Sequence, residues 1–275
     1  MNLPDDFIFS QSSLQDYVDC PRRFQLKYLQ HQRWPAPEVD DMLEFERRME
    51  QGETFHHLVH QHLVGIPSDV LASRLTDTDV QRWFAAYLKN GLADIPSQRR
   101  PETTLTINLG DYLLLAKFDL LAVEPGGRAL ILDWKTGQHI PRTETLTRRL
   151  QTIVYRYVLA IGGSHLNGGK PIPPERIEMI YWYADHDGAT LRFPYDSAQF
   201  AADETYLTQL VEEINSRPDF PLTTDERRCR FCVYRSLCDR GIESGSLDEW
   251  DETNDLELTL DDFSLDLGDL AEIEF

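Results

Sequence analysis

The chain has 275 residues, 41% of them hydrophobic, and a formal net charge of −20 at pH 7. No uncharged apolar run approaches the roughly 18 residues of a membrane-spanning helix, so the sequence predicts no membrane span. The first ten residues, MNLPDDFIFS, are acidic and lack the basic and apolar regions of a secretory signal peptide. These observations exclude the membrane and secreted classes and predict a cytoplasmic protein.

The negative charge is concentrated at the C-terminal end. From position 243 onward there are 13 Asp and Glu residues and no Lys or Arg, which leaves 34 acidic and 27 basic residues before that position. We therefore predict a folded domain over 1–243 and an acidic, disordered tail over 244–275. Acidic and apolar residues alternate in the tail, which leaves two other interpretations open: a segment that docks a protein partner, and a DNA mimic that covers a basic cleft.

Hydrophobic periodicity and turn residues predict an α/β chain with a small mixed sheet flanked by helices. Helices are predicted over 13–31, 43–64, 77–89, 146–161 and 197–216, the first of them beginning at a capping box of Ser13 and Asp16. Strands are predicted over 103–109, 112–123, 128–135, 177–184 and 190–194.

The most informative predicted element is the strand hairpin over 116–137, AKFDLLAVEPGGRALILDWKTG. The central EPGGR is typical of a turn, and a turn centred on Gly126 places Asp119 opposite Asp133. Because successive side chains of a strand point to opposite faces, Asp133 and Lys135 share a face and Trp134 points away. Two carboxylates and an ammonium group are thus expected to meet at the strand ends.

Two interpretations of this hairpin are open. Carboxylates can hold Mg²⁺ or Mn²⁺, and a neighbouring lysine can position or deprotonate a water, which together would hydrolyse a phosphodiester. The alternative is an exposed strand pair with ordinary surface charges, because the D-x-K pattern alone occurs by chance in many proteins.

The residues around the hairpin favour the first interpretation. Asp119 and the Asp133-Trp134-Lys135 triplet resemble the core of the PD-(D/E)XK nuclease superfamily, and more narrowly its RecB-like branch, which includes the nuclease domains of RecB and AddB and the CRISPR-adaptation nucleases. Three further segments are similar to motifs of that branch: SQSSLQDYVDCPRRFQLKYL over 10–29, GETFH over 52–56 and QTIVY over 151–155. The chain departs from the family pattern in having Ala116 where glycine is frequent, and Phe118 where the family name has proline.

The resemblance implies a restriction-endonuclease-like core and assigns metal ligands. It implies that His56, Asp119, Asp133 and the carbonyl group of Trp134 hold Mg²⁺ or Mn²⁺. Lys135 is then the residue that orients the attacking water and assists its deprotonation. Without the resemblance, a histidine on a helix is more often a surface or hydrogen-bonded residue than a metal ligand.

The helix over 146–161 carries the remaining residues that the resemblance assigns to the site. Gln151 and Tyr155 lie one turn apart, and the resemblance implies that their face of the helix contacts DNA near the cleaved phosphate. Arg148 and Arg149, one turn earlier, suit contacts with DNA phosphates. The alternative is a half-buried helix with an amide and a phenol at its edge.

All four cysteines of the chain can belong to one site. The spacing Cys229-x2-Cys232-x5-Cys238 with a remote Cys20 is uncommon for disulfides, whereas four thiolates can bind zinc or a [4Fe–4S] cluster. Structural zinc usually uses two C-x-x-C pairs, and only one is present here. The pattern resembles the iron–sulfur cluster of AddB-type and CRISPR-adaptation nucleases, which implies a [4Fe–4S] cluster that joins the helical periphery from both ends of the domain.

The sequence thus predicts a metal-dependent DNA nuclease with a structural [4Fe–4S] cluster. An exonuclease that acts on single-stranded DNA or DNA ends is expected, in DNA repair and recombination or in CRISPR adaptation. The alternative is a non-catalytic DNA-binding or scaffold module of the same fold.

Overall fold

The computed structural model describes residues 3–32 and 42–245, so the predicted acidic tail lies outside the described residues except for its first two positions. The tail boundary and its role stay predictions. The strands are β1 (Ile8–Ser10), β2 (Arg99–Leu109), β3 (Tyr112–Val123), β4 (Ala129–Lys135), β5 (Ile177–Tyr183) and β6 (Ala189–Pro194). The α-helices are α1 (Gln11–Asp19), α2 (Pro21–Phe24), α3 (Met42–Leu63), α4 (Ser68–Ala72), α5 (Thr78–Ala86), α6 (Thr143–Arg148), α7 (Leu150–Gly162) and α8 (Ser197–Ser216).

The strands form one mixed sheet in which β3 has three partners. Along one edge β3 pairs antiparallel with β2. Its other edge pairs in parallel with β1 over 113–115 and antiparallel with β4 over 120–123. The sheet continues from β4 in parallel to β5 and then antiparallel to β6. The predicted mixed sheet is confirmed.

Helices cover both faces of this sheet because its central strands are apolar on both faces. The first core lies between the sheet and α1, α7 and α8, where Val154 and Leu207 are fully buried. The second core lies between the opposite face and α3 and α5, where Phe55 stacks on Trp182 at 6.0 Å between ring centroids. Fully burying one such side chain contributes about 1.5–3 kcal/mol, so the two cores fix the sheet between its helices.

The predicted first helix is wrong in its start and in its continuity. The helix begins after Ser10, whose hydroxyl accepts the N–H of Ser13 while the Ser13 hydroxyl accepts the N–H of Ser10. Asp16 is not part of a capping box because its carboxylate is held by Arg23 and Lys27. The helix ends at Cys20, whose backbone is extended ahead of Pro21, since proline disfavours a helical conformation in the residue before it.

Two other differences from the predicted elements affect the site. The predicted helix over 146–161 is divided into α6 and α7, because the backbone of Arg149 is extended, with ψ 135°. Strand β1 was not predicted, since three residues are too short for a recognisable alternation. Along this edge of β3, residues 116–119 lie between the stretch that pairs with β1 and the stretch that pairs with β4, whereas 116–118 pair with β2 along the other edge. We call this interval the fork.

Candidate active site

The side chains of β3 change from one face of the sheet to the other at the fork. Phe118 packs in the first core and Leu120 in the second, although residues two apart in a regular strand share a face. The ladder between β2 and β3 omits the pair 102–119, and Glu102 there takes a left-handed conformation, with φ 47°. A non-glycine residue in this region carries backbone strain of the kind that clusters at functional sites. Asp119 therefore lies in the fork, directly before Leu120, at which the pairing of β3 with β4 ends.

The carboxylate of Asp119 is anchored by two groups. Its Oδ2 accepts the backbone N–H of Trp134 at 2.9 Å and lies 3.5 Å from Nδ1 of His56. The hairpin ladder ends with Leu120 opposite Leu132, one position before the predicted pair of Asp119 and Asp133. At the fork, the carboxylate of Asp119 thus accepts a hydrogen bond from the backbone of β4.

The side chain of Trp134 points away from this site, as strand alternation predicts. It packs in the second core at 5.5 Å from the rings of both Tyr87 and Trp182. This packing holds the end of β4 in place, so the Trp134 backbone stays beside Asp119.

A second group of polar residues lies at the end of β4 on the face of the first core. Lys135 Nζ is 2.7 Å from Asp133 Oδ2 and 3.1 Å from Gln151 Oε1. Gln151 Nε2 donates to Asp133 Oδ1 at 2.7 Å. Asp133 and Lys135 are only 3% and 7% exposed. Because a buried charge is costly unless it is paired and hydrogen-bonded, these three side chains form a mutually dependent group.

Sequence reasoning did not identify Tyr181 and Thr152, which complete this group. The Tyr181 hydroxyl is 3.3 Å from Gln151 Oε1 and 2.7 Å from Thr152 Oγ1. Tyr181 lies opposite Asp133 in the parallel ladder of β4 and β5. The only signal in the sequence is the strand predicted over 177–184, whose pairing register with β4 has no local signature.

His56 reaches the site because α3 passes very close to the end of β4. A Cβ atom on Gly52, one helical turn earlier, would lie 3.0 Å from Thr136 Oγ1, which explains a glycine at that position. Burial lowers the pKa of His56 below its ordinary value of 6.5. The charge of Lys135 lowers it further, whereas Asp133, Glu102 and a hydrogen bond to the Trp134 backbone raise it. His56 is therefore a neutral imidazole at pH 7 and can offer a nitrogen to a cation.

The lowered pKa of His56 predicts a pH-dependent stability of the metal-free protein. Because its folded-state pKa lies below the unfolded value, the unfolded chain binds more protons, and His56 costs stability as the pH falls below about 6.5. His56→Gln should therefore lose less free energy of unfolding than the wild type between about pH 8 and pH 5.5 in urea titrations. Exposed His165 provides the control variant His165→Gln. Parallel pH curves for wild type and His56→Gln would contradict this prediction.

The other residues predicted for the site lie along α6 and α7. Tyr155 is buried in the first core with its ring 4.8 Å from that of Phe118, directly before Asp119. Arg148 is exposed at the end of α6. Arg149 is half-buried, and its charge acts on Tyr181. The helix break thus places Arg149 close enough for its charge to act on Tyr181, and it leaves the side chain of Arg148 exposed to solvent.

The four cysteines line one cavity, and no disulfide joins them. Cys20 comes from the junction of α1 and α2, and the other three from two 3₁₀ turns near the C-terminal end of the described chain. Burial raises the pKa of Cys232 to about 11 and raises that of Cys229 and Cys238. These thiols are therefore protonated at neutral pH when nothing is bound.

Across residues 3–32 and 42–245, no three His, Cys, Asp or Glu side chains stand close enough together to hold a metal ion. At the active site the reason is that Asp133 is held by Lys135 and Gln151, whereas Asp119 contacts Trp134 and His56. The donor types nevertheless fit a divalent cation, since carboxylate oxygens suit Mg²⁺ and an added imidazole is compatible with Mn²⁺.

Comparison with known families decides the interpretation of this site. The family model of the PD-(D/E)XK nuclease superfamily matches residues 8–239, which include every candidate site residue named above. The chain belongs to the PD-(D/E)XK nuclease superfamily. PD-(D/E)XK nucleases use divalent metal ions such as Mg²⁺ or Mn²⁺ and act on DNA. A comparison with curated proteins finds no match.

Two solved structures match this chain over most of its length. A "putative exonuclease" from Eubacterium rectale has a TM-score of 0.51 and 10% identity, over 90% of this chain and 94% of that chain. The crystal structure of SSO0001 matches 87% of this chain and 89% of that chain, with 15% identity and a TM-score of 0.39. At these identities the first match shows the fold alone, and the second is too loose to support a conclusion. Among the described helices, none has the length and hydrophobicity to cross a bilayer.

Proposed function

We propose that this PD-(D/E)XK protein is a metal-dependent DNA nuclease of the RecB-like branch, an exonuclease that hydrolyses phosphodiester bonds in single-stranded DNA or at DNA ends. The observation that carries the proposal is the buried pair of Asp133 and Lys135, 2.7 Å apart and bridged by Gln151 at the end of β4. A buried ion pair of this kind is seldom justified by stability alone, because desolvation offsets most of its attraction.

Two groups of residues would hold the metal ion. Asp119 and His56 approach from the fork, and Asp133 and the Trp134 carbonyl group belong to the end of β4. When bound, the ion would stabilise negative charge on the phosphate and lower the pKa of a water ligand. Because Oδ2 of Asp133 now pairs with Lys135, the carboxylate has to be shared between the ammonium group and the cation.

The remaining residues act on water and on DNA. Lys135 is the group that orients the attacking water and assists its deprotonation, since it is the cation beside Asp133. Gln151 holds Lys135 and Asp133 together, and Tyr155 supports the fork through Phe118. Arg149 and exposed Arg148 are the candidates for phosphate contacts.

We further propose that the four cysteines bind a [4Fe–4S] cluster, with zinc as the alternative. Support comes from their common cavity and from the arginines that line it, since positive charge favours the thiolate form that ligation requires. The four sulfur atoms would have to move closer together to share one cluster. Arg240 lies 3.6 Å from the sulfur of Cys229, and the charge of Arg23 acts on Cys232. Arg228 also forms an ion pair with Asp19, so α1 is joined to the cysteine turns independently of any cluster.

The alternative function is a non-catalytic DNA-binding or scaffold module of the same fold. It would have no physical need for a buried carboxylate–ammonium pair beside a second carboxylate and an imidazole. The pathway that the nuclease serves, DNA repair and recombination or CRISPR adaptation, follows from the RecB-like resemblance and is part of the same proposal.

Incubation of the purified chain with end-labelled single-stranded DNA distinguishes the two functions. After chelation of all metal, addition of Mn²⁺ or Mg²⁺ should start cleavage, and Asp119→Asn should bind the same DNA without cleaving it. DNA binding by the wild type with no cleavage in either metal would favour the non-catalytic module. A comparison of 5′- and 3′-labelled strands also shows whether products are released from an end, as an exonuclease requires.

A further inference from the structure

We propose that Tyr181 is a positioning residue of the active site, and that Thr152 orients its hydroxyl group. Their role is to fix the side-chain amide of Gln151 so that its oxygen faces Lys135 and its nitrogen faces Asp133. This inference rests on the proposed nuclease function and adds two residues to the site.

Tyr181 contacts both Lys135 and Gln151. The Tyr181 hydroxyl lies 3.3 Å from Gln151 Oε1 and 2.7 Å from Thr152 Oγ1. Lys135 Nζ stands over the Tyr181 ring at 5.3 Å from its centroid. A ring face attracts a cation, so Tyr181 contacts the ammonium through its ring and the amide through its hydroxyl.

The hydrogens available in this group define the direction of each bond. Gln151 Oε1 can only accept, so both Lys135 and Tyr181 donate to it. The Tyr181 hydroxyl has a single hydrogen, so when that hydrogen is donated to Gln151 the 2.7 Å contact with Thr152 is donated by Thr152. Burial raises the pKa of Tyr181 well above its usual range, so the hydroxyl keeps its hydrogen at any working pH.

A rotated amide would be strongly disfavoured at this position. Exchange of the oxygen and nitrogen of Gln151 would place an N–H group against the Lys135 ammonium and the Tyr181 hydroxyl, and would leave Asp133 Oδ1 facing a carbonyl oxygen. The Lys135 ammonium can only donate and the Asp133 carboxylate can only accept, so neither can adapt to the exchanged amide, and the fully buried Tyr181 and Thr152 keep that amide in place. One amide thereby holds the acid and the lysine in register before any substrate arrives.

The test uses substitutions that each remove one hydroxyl group and therefore one hydrogen-bond donor. Tyr181→Phe keeps the ring but removes the donor to Gln151, Thr152→Val removes the donor to Tyr181, and Thr152→Ser retains it. We expect kcat for single-stranded DNA to fall about tenfold in Tyr181→Phe and Thr152→Val with KM little changed, and to stay within about twofold in Thr152→Ser. The double variant of Tyr181→Phe and Thr152→Val should be no slower than Tyr181→Phe alone, because both act through one hydroxyl.

A second measurement does not depend on cleavage. Chains carrying ¹⁵N-labelled glutamine should show one slowly exchanging side-chain amide that is absent in Gln151→Leu, and this signal should exchange faster in Tyr181→Phe. An unchanged amide signal together with kcat within about twofold of the wild type would overturn the inference. If the wild type does not cleave DNA, the proposed function fails, and the amide signal alone decides whether Tyr181 positions Gln151. If Tyr181→Phe does not fold, the contrast between Thr152→Val and Thr152→Ser gives the same decision.

Discussion

Lys135→Ala is expected to reduce kcat/KM for single-stranded DNA by about 10³-fold, within the range that positioned acid–base groups contribute. Lys135 forms a buried ion pair with Asp133, with Nζ 2.7 Å from Oδ2. Its removal takes away the group that orients the water in the proposed mechanism. The rate of product formation in Mn²⁺, measured with end-labelled DNA, checks this result.

A loss of folding has to be separated from a loss of chemistry in this variant. Lys135→Ala leaves the 3%-exposed carboxylate of Asp133 without its cation, which costs about 3–5 kcal/mol of unfolding free energy. The double variant Lys135→Met with Asp133→Asn removes both charges, so it should regain most of this stability and stay inactive. Lys170→Ala, on an exposed loop near the hairpin turn, is the matched control and should cleave normally. Substantial cleavage by Lys135→Ala would refute the assignment.

Cys232→Ser is expected to yield colourless, poorly soluble protein with a lower free energy of unfolding. The change removes one of four thiolate ligands and with it the link between Cys20 and the C-terminal turns. By analogy with disulfides, closing a chain loop of about 200 residues contributes about 5 kcal/mol. Iron and sulfide analysis of anaerobically purified protein should give about four iron atoms per wild-type chain and fewer in the variant.

Ser236→Ala is the matched control for this variant. Ser236 is exposed within the same 3₁₀ turn as Cys238, so its replacement should leave the cysteine cavity and the metal content unchanged. One zinc and no iron in the wild type would favour the alternative metal. Full solubility, full stability and unchanged metal content in Cys232→Ser would remove the structural role of the cysteines altogether.

The parts of the fold that local chemistry specifies could be predicted closely. The predicted bounds of β3 agree with the structure, and the turn between β3 and β4 is closed by a bond from Gly127 N to the carbonyl of Glu124. Gly126 takes a positive φ of 76°, which glycine adopts without strain. Helix α8 also has its predicted bounds, because Asp196 caps it and its apolar residues recur at helical spacing.

Errors arose where a distant partner overrides a local preference. Ser13 and Asp16 have the spacing of a capping box, but Asp16 lies nearly buried between Arg23 and Lys27, and the cap moves to Ser10. Helical periodicity also predicts one continuous helix over 146–161, whereas the extended backbone of Arg149 separates α6 from α7. In both cases the local pattern is compatible with the prediction, and contacts outside the segment select the other conformation.

The hairpin with its two carboxylates and lysine, the helix that carries His56, and the Cys229-x2-Cys232-x5-Cys238 spacing could be predicted from the sequence, because each depends on residues close together in the chain. Only the tertiary structure decided that β1 and β4 divide one edge of β3, which puts Asp119 at the fork. It also decided that Tyr181 and Thr152 hold Gln151 against Lys135. The physical reason is that parallel pairing of β4 with β5 joins residues almost fifty positions apart, and no turn residue or periodicity encodes that register.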